Sequence, residues 1–169
     1  DEVIEPRATQ EEMTNFIETE LTESLKGLPT RTTQFGRFDK GLAYTILMKY
    51  YMHEKNWAKA EECGRELLKA EYGYGLMDRY ADIFTLENEG NKEIIFACTE
   101  ERGTNLQLWH DHALPGNYPT QNTAIQKWDG YKVPWPFYRT FEEGDDRLSV
   151  LVGEYVGTDG VLFNEESDI

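Results

Sequence analysis

Between Thr99 and Trp135 no helical or strand period is sustained, and the segment gathers Trp109, Tyr118, Trp128, Tyr131 and Trp135 among Asn105, Gln107, Asn117, Gln121 and Asn122. Residues of these types can build a surface for a sugar. An aromatic face offers an apolar, weakly negative plane to the C–H side of a pyranose, and neighbouring amides and carboxylates exchange hydrogen bonds with its hydroxyls. Trp109, Tyr118, Trp128, Tyr131, Asn105 and Asn117 are therefore the candidate ligand-binding residues. The competing reading is that the rings pin a long loop onto the rest of the fold, and Trp135, bracketed by Pro134 and Pro136, fits it best. A long irregular segment in a compact domain is usually functional or disordered, and so many large rings argue against disorder.

Other chemistries have weaker support. In an extended backbone, His110-Asp111-His112 would point two imidazoles the same way, but two ligands do not make a metal site and the obvious third is missing. Asp145, Asp146 and Asp159 lack the loop of alternating oxygen ligands that calcium requires, and Asp145 with Arg147 reads as a local ion pair or a helix cap. A glycosidase needs two carboxylates at a set separation, and with 32 acidic residues some pair meets it by chance. No Ser-His-Asp or Cys-His arrangement has local support, and Gly73 and Gly75 open no phosphate-binding pattern. The expectation is binding without catalysis, with no metal and no cofactor.

The elements that must position the rings lie mostly upstream. Thr9 with Glu12 forms a capping box, and Met13, Phe16, Ile17, Leu21, Leu25 and Leu28 follow at spacings of three and four until Pro29 ends the helix. From Phe38 to Ala70 the chain reads as two amphipathic helices joined by a short turn. The first carries Leu42, Ile46, Leu47, Tyr50 and Tyr51 on its inward side. Asn56 caps the second, whose apolar face holds Trp57, Ala60, Gly64, Leu67 and Leu68, with Ala60 and Gly64 small enough for close approach. Tyr44, Leu47, Tyr51 and Ala60 match a tetratricopeptide repeat, while Met48, Gly64, Leu67 and Tyr72 depart from it. Beyond Ala70 the pattern predicts an apolar turn around Tyr80 and Phe84 and a short strand or extended run at Ile94-Ile95-Phe96. One more short helix is expected within 136–151, interrupted at Gly144-Asp145-Asp146, and the tail from Gly153 reads as loop or paired strand.

Composition bounds the partners. The 169 residues suit one domain, and 39% hydrophobic with 13% aromatic residues is enough for a core. A net charge of −15 repels phosphate backbones and anionic lipid, so nucleic acid is a poor partner, although Arg31, Arg37 and Lys40 lie near one another as a local basic patch. Cys63 and Cys98 read as small buried hydrophobes rather than a bridge or a metal pair. No apolar run approaches the ~20 residues that span a bilayer, and DEVIEPRATQ lacks the features of a signal peptide, so the chain reads as soluble without a targeting segment of its own.

Four segments in order carry a family resemblance: Gly36, Arg37, Lys40 and Gly41; Trp57 and Ala60; Asn91, Glu93, Ile94, Ile95 and Phe96; and Phe141, Gly144, Asp145 and Arg147. With the early RATQEE helix start, they resemble the SusD/RagB family of surface nutrient-binding lipoproteins. The resemblance implies a mainly α fold of tetratricopeptide-like hairpins with long irregular loops, the ligand held by loops on one face. It also implies an outer-membrane location in Bacteroidetes-type bacteria and a TonB-dependent, SusC-like transporter as partner, to which oligosaccharides, or peptides in some members, are delivered. The match is to a central portion, without the lipidated cysteine that would anchor the protein. On this reading 1–98 is a helical repeat part, 99–135 an aromatic loop region and 136–169 a short helix and tail, in a single domain or a piece of a larger one. The hairpin is then a frame for the loops. The alternative is a tetratricopeptide-like scaffold that binds a peptide or protein partner.

Overall fold

The computed structural model describes residues 7–100, 108–122 and 124–167. The chain forms two compact units, Asp1–Met77 with Gly90–Thr99, and Asp78–Glu89 with Glu100–Ile169.

The first unit is built on three helices. Helix α1, Gln10–Gly27, starts at the expected capping box, with Glu12 N donating to Thr9 Oγ1 at 3.2 Å and Thr9 N donating to the Glu12 carboxylate at 2.7 Å. The bond from Thr9 N, and a second from the Thr9 hydroxyl at 2.9 Å, favour the ionised form and hold Glu12 below the usual carboxylate range. The helix stops at Leu28, whose extended backbone is what a following proline demands. Helix α2, Lys40–His53, is capped by Asp39, which is only 3% exposed and accepts from Leu42 N at 3.0 Å and Thr32 N at 3.1 Å. One carboxylate thus satisfies a helix end and ties the preceding loop to it. Asn56 caps α3, Trp57–Leu67, through Lys59 N.

The α2–α3 hairpin encloses the core. Leu47, Tyr51, Ala60 and Cys63 are buried together, with Leu21 and Leu25 of α1 packed against them. The inward faces differ in part from the periodic reading. Trp57 and Leu68 are 63% and 83% exposed, and Cys63 fills the inner position between Ala60 and Leu67. Ile46 is exposed and borders an open groove between α1 and α2 with Met13, Phe16 and Tyr50. Cys63 is the buried small hydrophobe expected, its thiol pushed up mainly by desolvation, whereas Cys98 is exposed.

After α3 a tyrosine stack closes the unit. Buried Tyr72 lies edge-on to Tyr44 and stacks on Tyr74, while Arg31 donates to the Tyr72 and Gly73 carbonyls at 3.0 Å each and covers the Tyr74 ring. Ile94–Phe96 forms no strand: Ile94 N closes a turn onto Asn91 O, and Phe96 packs against Phe38.

The second unit has little regular structure. Helix α4 is Trp109–Ala113 and α5 is Trp135–Tyr138, with single-turn helices at Tyr80–Phe84, Leu86–Asn88 and Asp146–Val150. The expected interruption is a turn closed by Asp145 N on Glu142 O, with Gly144 at φ +86°. Strands β1, Tyr155–Val156, and β2, Leu162–Phe163, pair antiparallel as a small hairpin in the tail, with Tyr155 opposite Phe163.

Candidate ligand-binding site

The candidate rings lie in the second unit, and the fold brings three of them to one point. Trp109 stacks on Tyr131 with centroids 5.1 Å apart and planes 23° apart. Both are joined to Trp128 through His112, which meets Tyr131 at 5.2 Å and the Trp128 ring edge-on at 4.7 Å. Yet the rings keep much of their surface. Trp109 is 57% exposed, Tyr131 53% and Trp128 44%.

Backbone hydrogen bonds produce this convergence. A helix leaves its last carbonyls without internal donors, and in α4 the later strap 126–131 supplies them. Trp128 N donates to Asp111 O at 2.6 Å, Gly130 N and Tyr131 N to His112 O at 2.7 and 3.0 Å, and Asp129 N to Leu114 O at 3.1 Å. Asp129 turns the strap with φ +54°, a left-handed conformation that a short polar side chain tolerates. At Gly130 an added Cβ would lie 3.3 Å from His112 O, so glycine permits the close approach. Trp128 Nε1 donates to Gln126 Oε1 at 3.3 Å, which orients the indole.

Tyr118 and Asn117 belong to a second group. The Tyr118 ring lies 5.0 Å from Tyr155, which stacks on Phe163, and Lys127 Nζ donates to the Tyr118 carbonyl at 2.6 Å. Asn117 Oδ1 accepts from the Tyr155 hydroxyl at 2.9 Å and its carbonyl from Thr158 N at 2.9 Å. Its side-chain oxygen is thus committed to holding the β hairpin, and the amide nitrogen remains as a donor. Asn105 and Gln107 lie outside the described residues. Trp135 is half-buried and stands edge-on to Tyr138.

The alternation proposed for His110 and His112 does not occur, because both lie in α4, where residues two apart point to opposite sides. Among the described residues no group of three or more His, Cys, Asp or Glu side chains is arranged to hold a metal ion. His112 serves as the hub of the ring cluster, a role that its sequence neighbours did not suggest. Asp129-Gly130, a turn signal between Trp128 and Tyr131 that the sequence reading passed over, is the local feature that could have brought those two rings together at His112. Asp145 and Arg147 form the expected pair and cap, with Arg147 N also donating to Asp145 Oδ1.

The described residues are mainly α-helical, with a helical hairpin in the first unit and an exposed ring cluster on irregular loops in the second. The chain's fold is similar to the crystal structure of a SusD-like protein from Bacteroides fragilis NCTC 9343, at 24% identity and TM-score 0.57 over 66% of this chain. The chain spans 23% of that protein's length. No protein-family model and no curated protein matches the sequence. The likeness is one of fold, and it agrees with the SusD-like helical architecture that the sequence resemblance implied. Among the described residues no helix is long and apolar enough to cross a membrane.

Proposed function

We propose that this chain is part of a cell-surface protein that captures oligosaccharides on the Trp109–Trp128–Tyr131 platform and hands them to a TonB-dependent, SusC-like transporter in the outer membrane. The gathering of three half-exposed rings, Trp109 on Tyr131 and both Tyr131 and Trp128 on His112, carries this reading, since exposed aromatic surface at one place is what sugar units stack on. Tyr118, Asn105 and the Asn117 amide would supply further contacts and hydrogen bonds. Attachment to the membrane would be through a lipid anchor, as the family resemblance implies. The SusD-like fold supports a glycan-binding role. No bond is made or broken in this mechanism: stacking gives affinity, hydrogen bonding gives discrimination, and the ligand leaves unchanged.

Isothermal calorimetry against a panel of polysaccharides and peptides tests it, with Trp109→Ala and Trp128→Ala. Each substitution should weaken sugar binding by about 1–3 kcal/mol, the scale of a lost ring-stacking contact. The proposal is abandoned if no sugar binds or if binding survives both changes, and release of shorter glycans by the pure protein would instead indicate an enzyme. A peptide-binding scaffold is the second reading, favoured by the open apolar groove of Met13, Phe16, Ile46 and Tyr50. It predicts that Phe16→Ala impairs peptide binding while the tryptophan changes do not.

A further inference from the structure

We infer that Asp111 is the positioning residue of the ring platform, fixing the strap at Gln126 and at Trp128 itself and so setting where that indole sits. The effect on affinity rests on the glycan reading above, whereas the effect on Trp128 does not. Asp111 uses its main chain and its side chain on the same strap: its carbonyl accepts Trp128 N at 2.6 Å and its carboxylate Oδ1 accepts Gln126 N at 2.6 Å. A bond from N–H to an ionised carboxylate is short and roughly twice as strong as a neutral one. Residue 126 is thereby held with residue 128. That geometry turns the Gln126 side chain toward the indole, where Oε1 accepts Trp128 Nε1 at 3.3 Å.

Trp128 also meets His112, which lies next to Asp111 on α4, in a T-shaped ring contact. The backbone bonds at Asp129, Gly130 and Tyr131 fix the strap only beyond the tryptophan. Without the carboxylate, the Gln126 backbone and with it the hydrogen-bonded edge of the ring lose their direct anchor on α4, and the near side of the strap is left to the Lys127 side chain on the Tyr118 carbonyl. Tyr131 keeps both its backbone bond and its stack on Trp109. The loss is therefore expected at one ring of the platform and not at all three.

The test uses the full chain with Asp111→Ala, Asp111→Asn and Gln126→Ala. Indole N–H signals are followed by NMR, Trp128 being assigned through Trp128→Phe, and binding of malto-, cello- and xylo-hexaose is measured by calorimetry. Asp111→Ala should move the Trp128 signal, leave that of Trp57 in place, and weaken binding about five- to tenfold, the scale of the net contribution of one ordinary hydrogen bond. Asp111→Asn, which keeps an oxygen acceptor, should restore the signal and most of the affinity, and Gln126→Ala should move the Trp128 signal alone. A Trp128 signal unmoved in Asp111→Ala overturns the inference, whether or not a sugar binds. Unchanged affinity despite a moved signal overturns the claim that the position of Trp128 limits binding. If none of the hexaoses binds the unmodified chain, the glycan reading fails on its own and the indole signals still decide the role of Asp111. Should Asp111→Ala not fold, hydrogen exchange decides: the Gln126 amide of the unmodified chain must be protected, and exchange as fast as that of an exposed amide overturns the inference.

Discussion

Asp145 shows how far a single residue could be read from its neighbours. Arg147 Nε donates to both of its oxygens at 2.9 and 3.2 Å, Nη2 donates to Oδ2 at 2.5 Å, and Arg147 N donates to Oδ1 at 3.0 Å. The guanidinium hydrogen bonds first, and the backbone bond second, lower the carboxyl from its ordinary 3.8 to about 2. A folded-state value below the unfolded one means that the pair stabilises the fold above the ordinary carboxylate range and fades as pH falls from about 4 toward 2. Because the group is exposed, its signature is the titration itself rather than a large change in stability. A carbon-13 titration of the Asp145 carboxyl should give a midpoint near 2, moving up toward the ordinary value in Arg147→Gln. A midpoint near 4 in the unmodified chain would rule the pairing out in solution. This pair was visible in the sequence because its partners are two residues apart. Asp111 meets Gln126 across 15 residues of aperiodic chain, and no local rule connects them.

Elements were legible to the degree that their signals were local. Thr9 with Glu12, Leu28-Pro29 and Asn56 each mark a helix end through groups within four residues, and all three ends fall where the sequence places them. Faces were less legible, because Trp57 and Leu68 fit the period of α3 yet point away from the core, which Cys63 enters instead. Helix α4, with five residues, is too short to show a period, and it is completed by the strap that follows it. Glycines in the hairpin make the same point. Gly64 looked like a close-contact residue, but an added Cβ would meet only Met48 Sδ at an ordinary 3.5 Å, so Gly64→Ala should stabilise the chain by about 0.5–1 kcal/mol through helix propensity. At Gly41 an added Cβ would collide with the Tyr74 hydroxyl and lie 2.9 Å from its ring carbon and 3.1 Å from Asp39 Oδ1. Gly41→Ala should therefore cost about 1–3 kcal/mol by forcing apart the tyrosine stack and the α2 cap. Urea unfolding of the two variants should move the midpoint in opposite directions, and a shared direction would mean that the hairpin packs differently.

At the scale of the whole molecule, the glycan reading has charge and platform make separate demands on a ligand. A field of −15 opposes any polyanion, while stacking against Trp109, Trp128 and Tyr131 acts at contact range and does not depend on it. The basic patch noted in the sequence offers little relief. Arg31 spends donors on the Tyr72 and Gly73 carbonyls and lies over Tyr74, which leaves Arg37 and Lys40 to meet an anion. Screening sharpens the distinction, since the Debye length shrinks from roughly 10 Å at 0.1 M salt to about 3 Å at 1 M. The affinity for a neutral hexaose should therefore change less than about twofold over that range, because neither partner's net charge enters the contact. A sulfated polysaccharide should bind worse than its neutral counterpart at low salt, and the difference should narrow as salt rises. Calorimetry at the two salt concentrations checks both. Tight binding of the sulfated glycan that disappears with salt would move the site from the rings to the surface around Arg37 and Lys40, because only a local cluster of cations could overcome a repulsive field of this size.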